Sequence, residues 1–169
     1  MFIAFFSTQL DNTNNPTKRT NQAIHSSKPA HPTNVPVQEK FYFLYGTLMD
    51  PATLASVLKQ PGRPELHPAY ITGYSIKLWG EYPAIVDEIL DQSIRRVVYR
   101  VRSRAEEDRL AAYETDMYRV KVCIVHLADG PRAAGVTFVS NGDPSSLKEG
   151  RFDLKDWVMK KREFSTLGG

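Results

Sequence analysis

Phe41-Tyr42-Phe43-Leu44-Tyr45-Gly46-Thr47-Leu48-Met49-Asp50-Pro51 is the stretch around which the chain is organised. Its first five residues are bulky and apolar or aromatic, the pattern of a strand buried on both faces. Gly46 ends the run at a point where the backbone must turn sharply or pass close to another group. Asp50 before Pro51 is a helix start, because the carboxylate caps unpaired N–H groups and the proline ring suits the first helical position. Leu54, Val57 and Leu58 then fall on one face of a helix over 51–59. Tyr45 to Met49 is therefore a short strand–helix loop whose N–H groups have no obligatory partner and lie near a helix dipole. Such a loop seats a carboxylate or a developing oxyanion. A tight turn with no ligand would read the same.

Downstream, Gln60-Pro61-Gly62-Arg63-Pro64 is a turn. The run 69–78 reads as one strand with Gly73 marking a bulge. Trp79-Gly80-Glu81 turns the chain into a short apolar strand at Tyr82–Val86, with Pro83 at its start or on an edge. Ile94–Val101 alternates as a strand with one wetter face. Ser103-Arg104-Ala105-Glu106 is a capping box that opens a helix running to about Glu114. Tyr118–Leu127 is the longest strand, with Tyr118, Val120, Val122 and Ile124 on one face and Arg119, Lys121 and Cys123 on the other. One more strand covers Ala133–Val139. Asp153 caps a last helix in which Leu154, Trp157, Val158 and Lys161 share a face. About six strands and three helices, joined mostly by loops, predict an α+β domain with a largely antiparallel, barrel-like sheet.

Upstream, Met1–Phe6 is apolar but shorter than the roughly 7–15 residues of a secretory core, and no basic residue precedes it. Ser7–Lys40 is rich in Asn, Thr, Ser, Pro and Gln and has no periodicity, so residues 1–40 read as a disordered leader. The domain is expected over 41–164, with a flexible C-terminus at 165–169. At 169 residues and a formal charge of +3, of which the leader carries +2, the chain has no clustered basic patch, and nucleic acid is excluded as a partner. No stretch approaches the roughly 20 apolar residues of a membrane span. Cys123 is the only cysteine, which rules out an intrachain disulfide or a thiolate cluster and fits a reducing, cytoplasmic setting. The four histidines are scattered without metal-ligand spacing, and no P-loop, G-x-S-x-G or G-x-G-x-x-G pattern occurs.

Glu114 is the acidic residue in an unusual place. It lies four residues after Leu110, so the two share a helix face that should look inward. It also lies in the last turn, where the helix dipole disfavours negative charge. Partial burial and the dipole both push a carboxyl pKa towards the range useful to a general base. A glutamate rotated outward at a frayed helix end fits the same residues.

Three blocks, Tyr45-Gly46-Thr47-Leu48-Met49, Tyr82-Pro83-Ala84-Ile85-Val86 and Leu110-Ala111-Ala112-Tyr113-Glu114 followed by Tyr118-Arg119-Val120, occur in this order across roughly 41–139. Together they resemble the γ-glutamylcyclotransferase-like superfamily, and within it the AIG2-like branch. The resemblance implies a small mixed, mostly antiparallel β-barrel with flanking helices. It implies that the loop Tyr45, Gly46, Thr47 and Leu48 binds a glutamyl group largely through its backbone. It also implies that Glu114 is the general acid/base that cyclises a γ-glutamyl amine, amino acid or peptide to 5-oxoproline, the chemistry of glutathione metabolism. Neither metal nor organic cofactor belongs to that reaction; the expected partner is a small γ-glutamyl molecule, and the expected state a monomer or weak homodimer. Tyr45, Tyr82 and Tyr118 are candidate pocket residues, and plain core or rim tyrosines read the same way. Two departures bear on the pocket mouth: Arg96 stands near a point where many members have glycine, and Thr115 replaces the usual glycine after the glutamate. A non-catalytic small-ligand-binding module, a related acyltransferase acting on another amine conjugate, and an adaptor that works through its leader are the competing readings.

Overall fold

The computed structural model describes residues 40–88 and 92–167. In chain order the elements are β1 (Lys40–Leu44), a 3-10 turn (Thr47–Met49), α1 (Pro51–Leu58), β2 (Leu66–Thr72), β3 (Tyr74–Trp79), β4 (Tyr82–Asp87) and β5 (Ser93–Val101). They continue with α2 (Arg104–Glu114), β6 (Tyr118–Leu127), β7 (Arg132–Ser140), a second 3-10 turn (Pro144–Ser146) and α3 (Leu154–Leu167). Five strands close a barrel in the order β1-β5-β2-β6-β7, while β3 and β4 form a separate two-stranded ribbon. Every barrel pairing is antiparallel except β1 with β7. The architecture is the α+β, mostly antiparallel mixed barrel with flanking helices that the sequence predicts.

β1 earns its unbroken apolar run by position. It is hydrogen-bonded on both sides, to β5 and β7, and Tyr42, Phe43 and Leu44 are all buried. Phe43 lies opposite Val98 in the fully buried interior, and Tyr42 packs on Phe138 beneath α2, where its hydroxyl meets Glu107. The parallel seam closes because β7 has a glycine there. A Cβ at Gly135 would sit 2.8 Å from the Phe41 carbonyl oxygen and 2.7 Å from Val125 Cγ2, too close for any other residue without a shift.

The strand count departs from the sequence reading. The run 69–78 is two strands, not one bulged strand, so the strands number seven among the described residues. Gly73 takes φ +82 and turns the chain out of the barrel into the β3–β4 ribbon; alternation of side chains continues through such a turn and hides it. On β6, Val120, Val122 and Ile124 are exposed while Cys123 and Val125 are buried, because the barrel core takes the odd-numbered face. α3 runs past the expected domain end at 164 to Leu167. Its start is as read: Asp153 Oδ1 accepts from Lys155 and Asp156 N–H. The leader expected at 1–40 lies outside the described residues except for Lys40, which opens β1. Among the described residues no helix is long and apolar enough to cross a membrane.

Candidate active site

α2 delivers one side of the site. Ser103 caps its start, its Oγ accepting from Glu106 N–H at 3.2 Å. Leu110 is fully buried, and Glu114, four residues on, lies on the same inward face. The helix stops there because Thr115 takes φ 60 and ψ −172, a backbone region that glycine favours and a β-branched residue enters only under strain. This is the position where the resembling family carries glycine. Glu114 itself is half-buried, and among the described residues neither a hydrogen bond nor an ion pair reaches its carboxylate. Burial pushes its pKa from 4.5 up to about 7.

The loop after β1 delivers the other side. Met49 N–H donates to the Gly46 carbonyl and Asp50 N–H to that of Thr47, both at 3.1 Å, which tightens the chain into a 3-10 turn. The N–H groups of Thr47 and Leu48 start that turn and have no partner within it. Asp50 caps α1, its Oδ2 accepting from Thr53 N–H and from the Thr53 hydroxyl. Gly46 does not use a positive φ; its φ is −120. It allows a close approach: a Cβ there would lie 3.1 Å from Pro83 Cγ on β4, so a larger residue would make the proline ring give by a few tenths of an ångström.

The tyrosines frame these two sides unequally. Tyr45, a candidate pocket residue by sequence, is a pin behind the loop: its hydroxyl donates to the Phe138 carbonyl at 2.8 Å and accepts from Ile85 N–H at 3.4 Å. Leu48 is also buried. Tyr118 is half-buried and donates to the Pro83 carbonyl at 3.1 Å, which ties the start of β6 to β4. Tyr82 is half-buried on β4, and its phenol bears on those of Tyr113 and Tyr118. Burial pushes the phenols of Tyr45, Tyr113 and Tyr118 upward, Tyr118 to about 12, and the Glu114 charge adds to each. Sequence reasoning passed over Tyr113, whose hydroxyl meets Thr47 Oγ1 at 2.9 Å. Its place beside Glu114 in the third block was the one available signal.

Tyr113, the residue before Glu114, thus joins the last turn of α2 to the Tyr45–Leu48 loop, and Tyr45 backs that loop. An unpaired carboxylate with a near-neutral pKa can take a proton from an amine and return it. Loop N–H groups can hold an anion beside it. Among the described residues, no three His, Cys, Asp or Glu side chains gather as metal ligands.

Comparison with known proteins gives consistent results. A family model described as gamma-glutamyl cyclotransferase, AIG2-like, matches residues 42–159. Two Arabidopsis thaliana proteins solved in solution align with TM-scores of 0.58 each. One is 24% identical, covering 78% of this chain and 89% of the other; the second is 26% identical, covering 77% and 79%. A gamma-glutamyl cyclotransferase aligns with a TM-score of 0.52 at 11% identity, covering 73% of this chain and 99% of its own, and that likeness shows the fold. No curated protein matches the sequence.

Proposed function

The chain belongs to the gamma-glutamyl cyclotransferase, AIG2-like family, and from that premise we propose that it cyclises a small γ-glutamyl compound to 5-oxoproline and frees the amine. The observation that supports the reading is the half-buried Glu114 carboxylate, unpaired and shifted to about neutral, at a helix end that Tyr113 ties to the Thr47 loop.

In this mechanism the loop N–H groups of Thr47 and Leu48 receive the substrate's α-carboxylate or the oxyanion that forms at its γ-carbonyl. Glu114 takes a proton from the α-amine, and the amine nitrogen attacks the γ-carbonyl carbon to close a five-membered ring. As the tetrahedral centre collapses, Glu114 passes the proton to the departing nitrogen and the bond from γ-carbon to that nitrogen breaks. Base and acid are one residue in turn, so a pKa near the working pH suits both halves. The attack is intramolecular, and holding one conformer supplies much of the acceleration. Tyr82 and Tyr118, both half-buried, are the tyrosines proposed to line the ligand, whereas Tyr45 supports the loop from behind.

The test is to incubate the protein with a panel of γ-glutamyl amines, amino acids and dipeptides and to measure 5-oxoproline. Release from at least one member, with one free amine per 5-oxoproline, is the expected outcome. No release from any member overturns the cyclotransferase reading in favour of a binding module of the same fold.

A further inference from the structure

The Tyr113 and Thr47 hydroxyls meet at 2.9 Å although the residues are 66 apart in sequence. Tyr113 is half-buried, Thr47 is buried, and each belongs to one of the two elements that build the site. The rest of α2 is tied elsewhere: Glu106 to Gln60, Arg109 to the Leu58 carbonyl and Glu107 to Lys40. Among the described residues, no other side-chain hydrogen bond joins the last turn of α2 to the loop. Consecutive helical residues point about 100° apart, so Tyr113 can reach the loop while its neighbour Glu114 keeps its own direction. Beyond Glu114 the chain leaves the helix at once through the strained Thr115.

From this arrangement we propose that Tyr113 is a positioning residue, which through the Thr47 hydroxyl sets the spacing between the Glu114 carboxylate and the N–H groups of the loop. The role rests on the cyclotransferase reading, because it is the attacking amine and the seated anion that need a fixed spacing. Thr47 is well placed to transmit it: its own N–H opens the 3-10 turn, and its carbonyl accepts from Asp50 N–H. Without the hydroxyl pair, the helix end and the loop still pack, but nothing polar holds their register. A displacement of about 1 Å at a reacting centre costs on the order of a hundredfold in rate.

The experiment compares wild type with Tyr113→Phe, Thr47→Val and the double variant, using kcat and KM on the best γ-glutamyl substrate of the panel. Thermal melting and the NMR titration of the Glu114 carboxylate are measured alongside. Tyr113→Phe should lower kcat by about ten- to a hundredfold with KM within about twofold, because orientation and not ground-state binding is lost. The double variant should be no slower than the worse single variant, since both remove one interaction. The Glu114 titration should move towards the ordinary carboxylate range as the loosened helix end admits water. Wild-type kcat in Tyr113→Phe, or losses in kcat that multiply in the double variant, would overturn the proposal. If wild type turns over no substrate, the cyclotransferase reading fails by itself, and the titration decides the positioning claim: an unmoved Glu114 in Tyr113→Phe rejects it.

Discussion

Glu106 and Glu114 stand on the same face of α2, separated by two helical repeats with Leu110 between them, and their surroundings are opposites. Glu106 is in the first turn, where the dipole favours a negative charge. It is buried, and its oxygens accept from Arg102 N–H and Gln60 Nε2, each at 2.8 Å; the same Gln60 Nε2 is 3.0 Å from the Tyr99 hydroxyl. Glu114 is in the last turn, where the dipole opposes it, and it has no such partner among the described residues. Burying a carboxylate is costly unless its oxygens are satisfied. At Glu106 the fold satisfies them; at Glu114 no protein group among the described residues does.

The contrast can be broken by substitution at either end. The larger effect on stability is expected at Glu106. Glu106→Ala strands the Arg102 N–H and the Gln60 amide and should lower unfolding free energy by about 2–4 kcal/mol in a denaturant titration. A loss below about 1 kcal/mol would mean that the paired end is no more structural than the unpaired one.

At Glu114 the sign reverses. Its folded pKa of about 7 lies above the ordinary 4.5, so between these values the folded chain holds a proton that the unfolded chain has released. Stability from this group is fully present at low pH, is lost as pH rises towards 7, and stays lost above it. Glu114→Gln should remove that fall and raise stability at pH 8 by up to about 3 kcal/mol. Melting temperatures measured from pH 4.5 to 8 give the check, and a variant whose profile parallels that of wild type would show that Glu114 is solvated like any surface carboxylate. The phenols of Tyr45, Tyr113 and Tyr118 are pushed upward by burial and stay protonated across this window.

Both ends of α2 were legible in the sequence for local reasons. The capping box names Ser103 and Glu106, and the four-residue step from Leu110 puts Glu114 inward, because each depends only on helical geometry. The Gly46 loop was legible for the same reason, although its glycine serves close approach to Pro83 and not a positive φ. What was hidden depends on contacts distant in sequence. Alternating side chains cannot say which face of β6 meets the core, and aliphatic Val122 and Ile124 end up outside while Cys123 goes in. The roles of Tyr45 and Tyr113 are set by Phe138 and Thr47, partners 93 and 66 residues away. Gly73 reads as a bulge until the ribbon is seen to leave the barrel.

The central claim is that the unpaired carboxylate of α2 is the base. It is tested most directly by the rate of 5-oxoproline release from wild type and Glu114→Gln, measured on one γ-glutamyl substrate between pH 5 and 9. Wild-type kcat/KM should rise with pH through about 7 as Glu114 loses its proton. Glu114→Gln should stay folded and be slower by at least about a hundredfold, without that rise. Equal rates in the two proteins would contradict the claim and remove Glu114 from the chemistry.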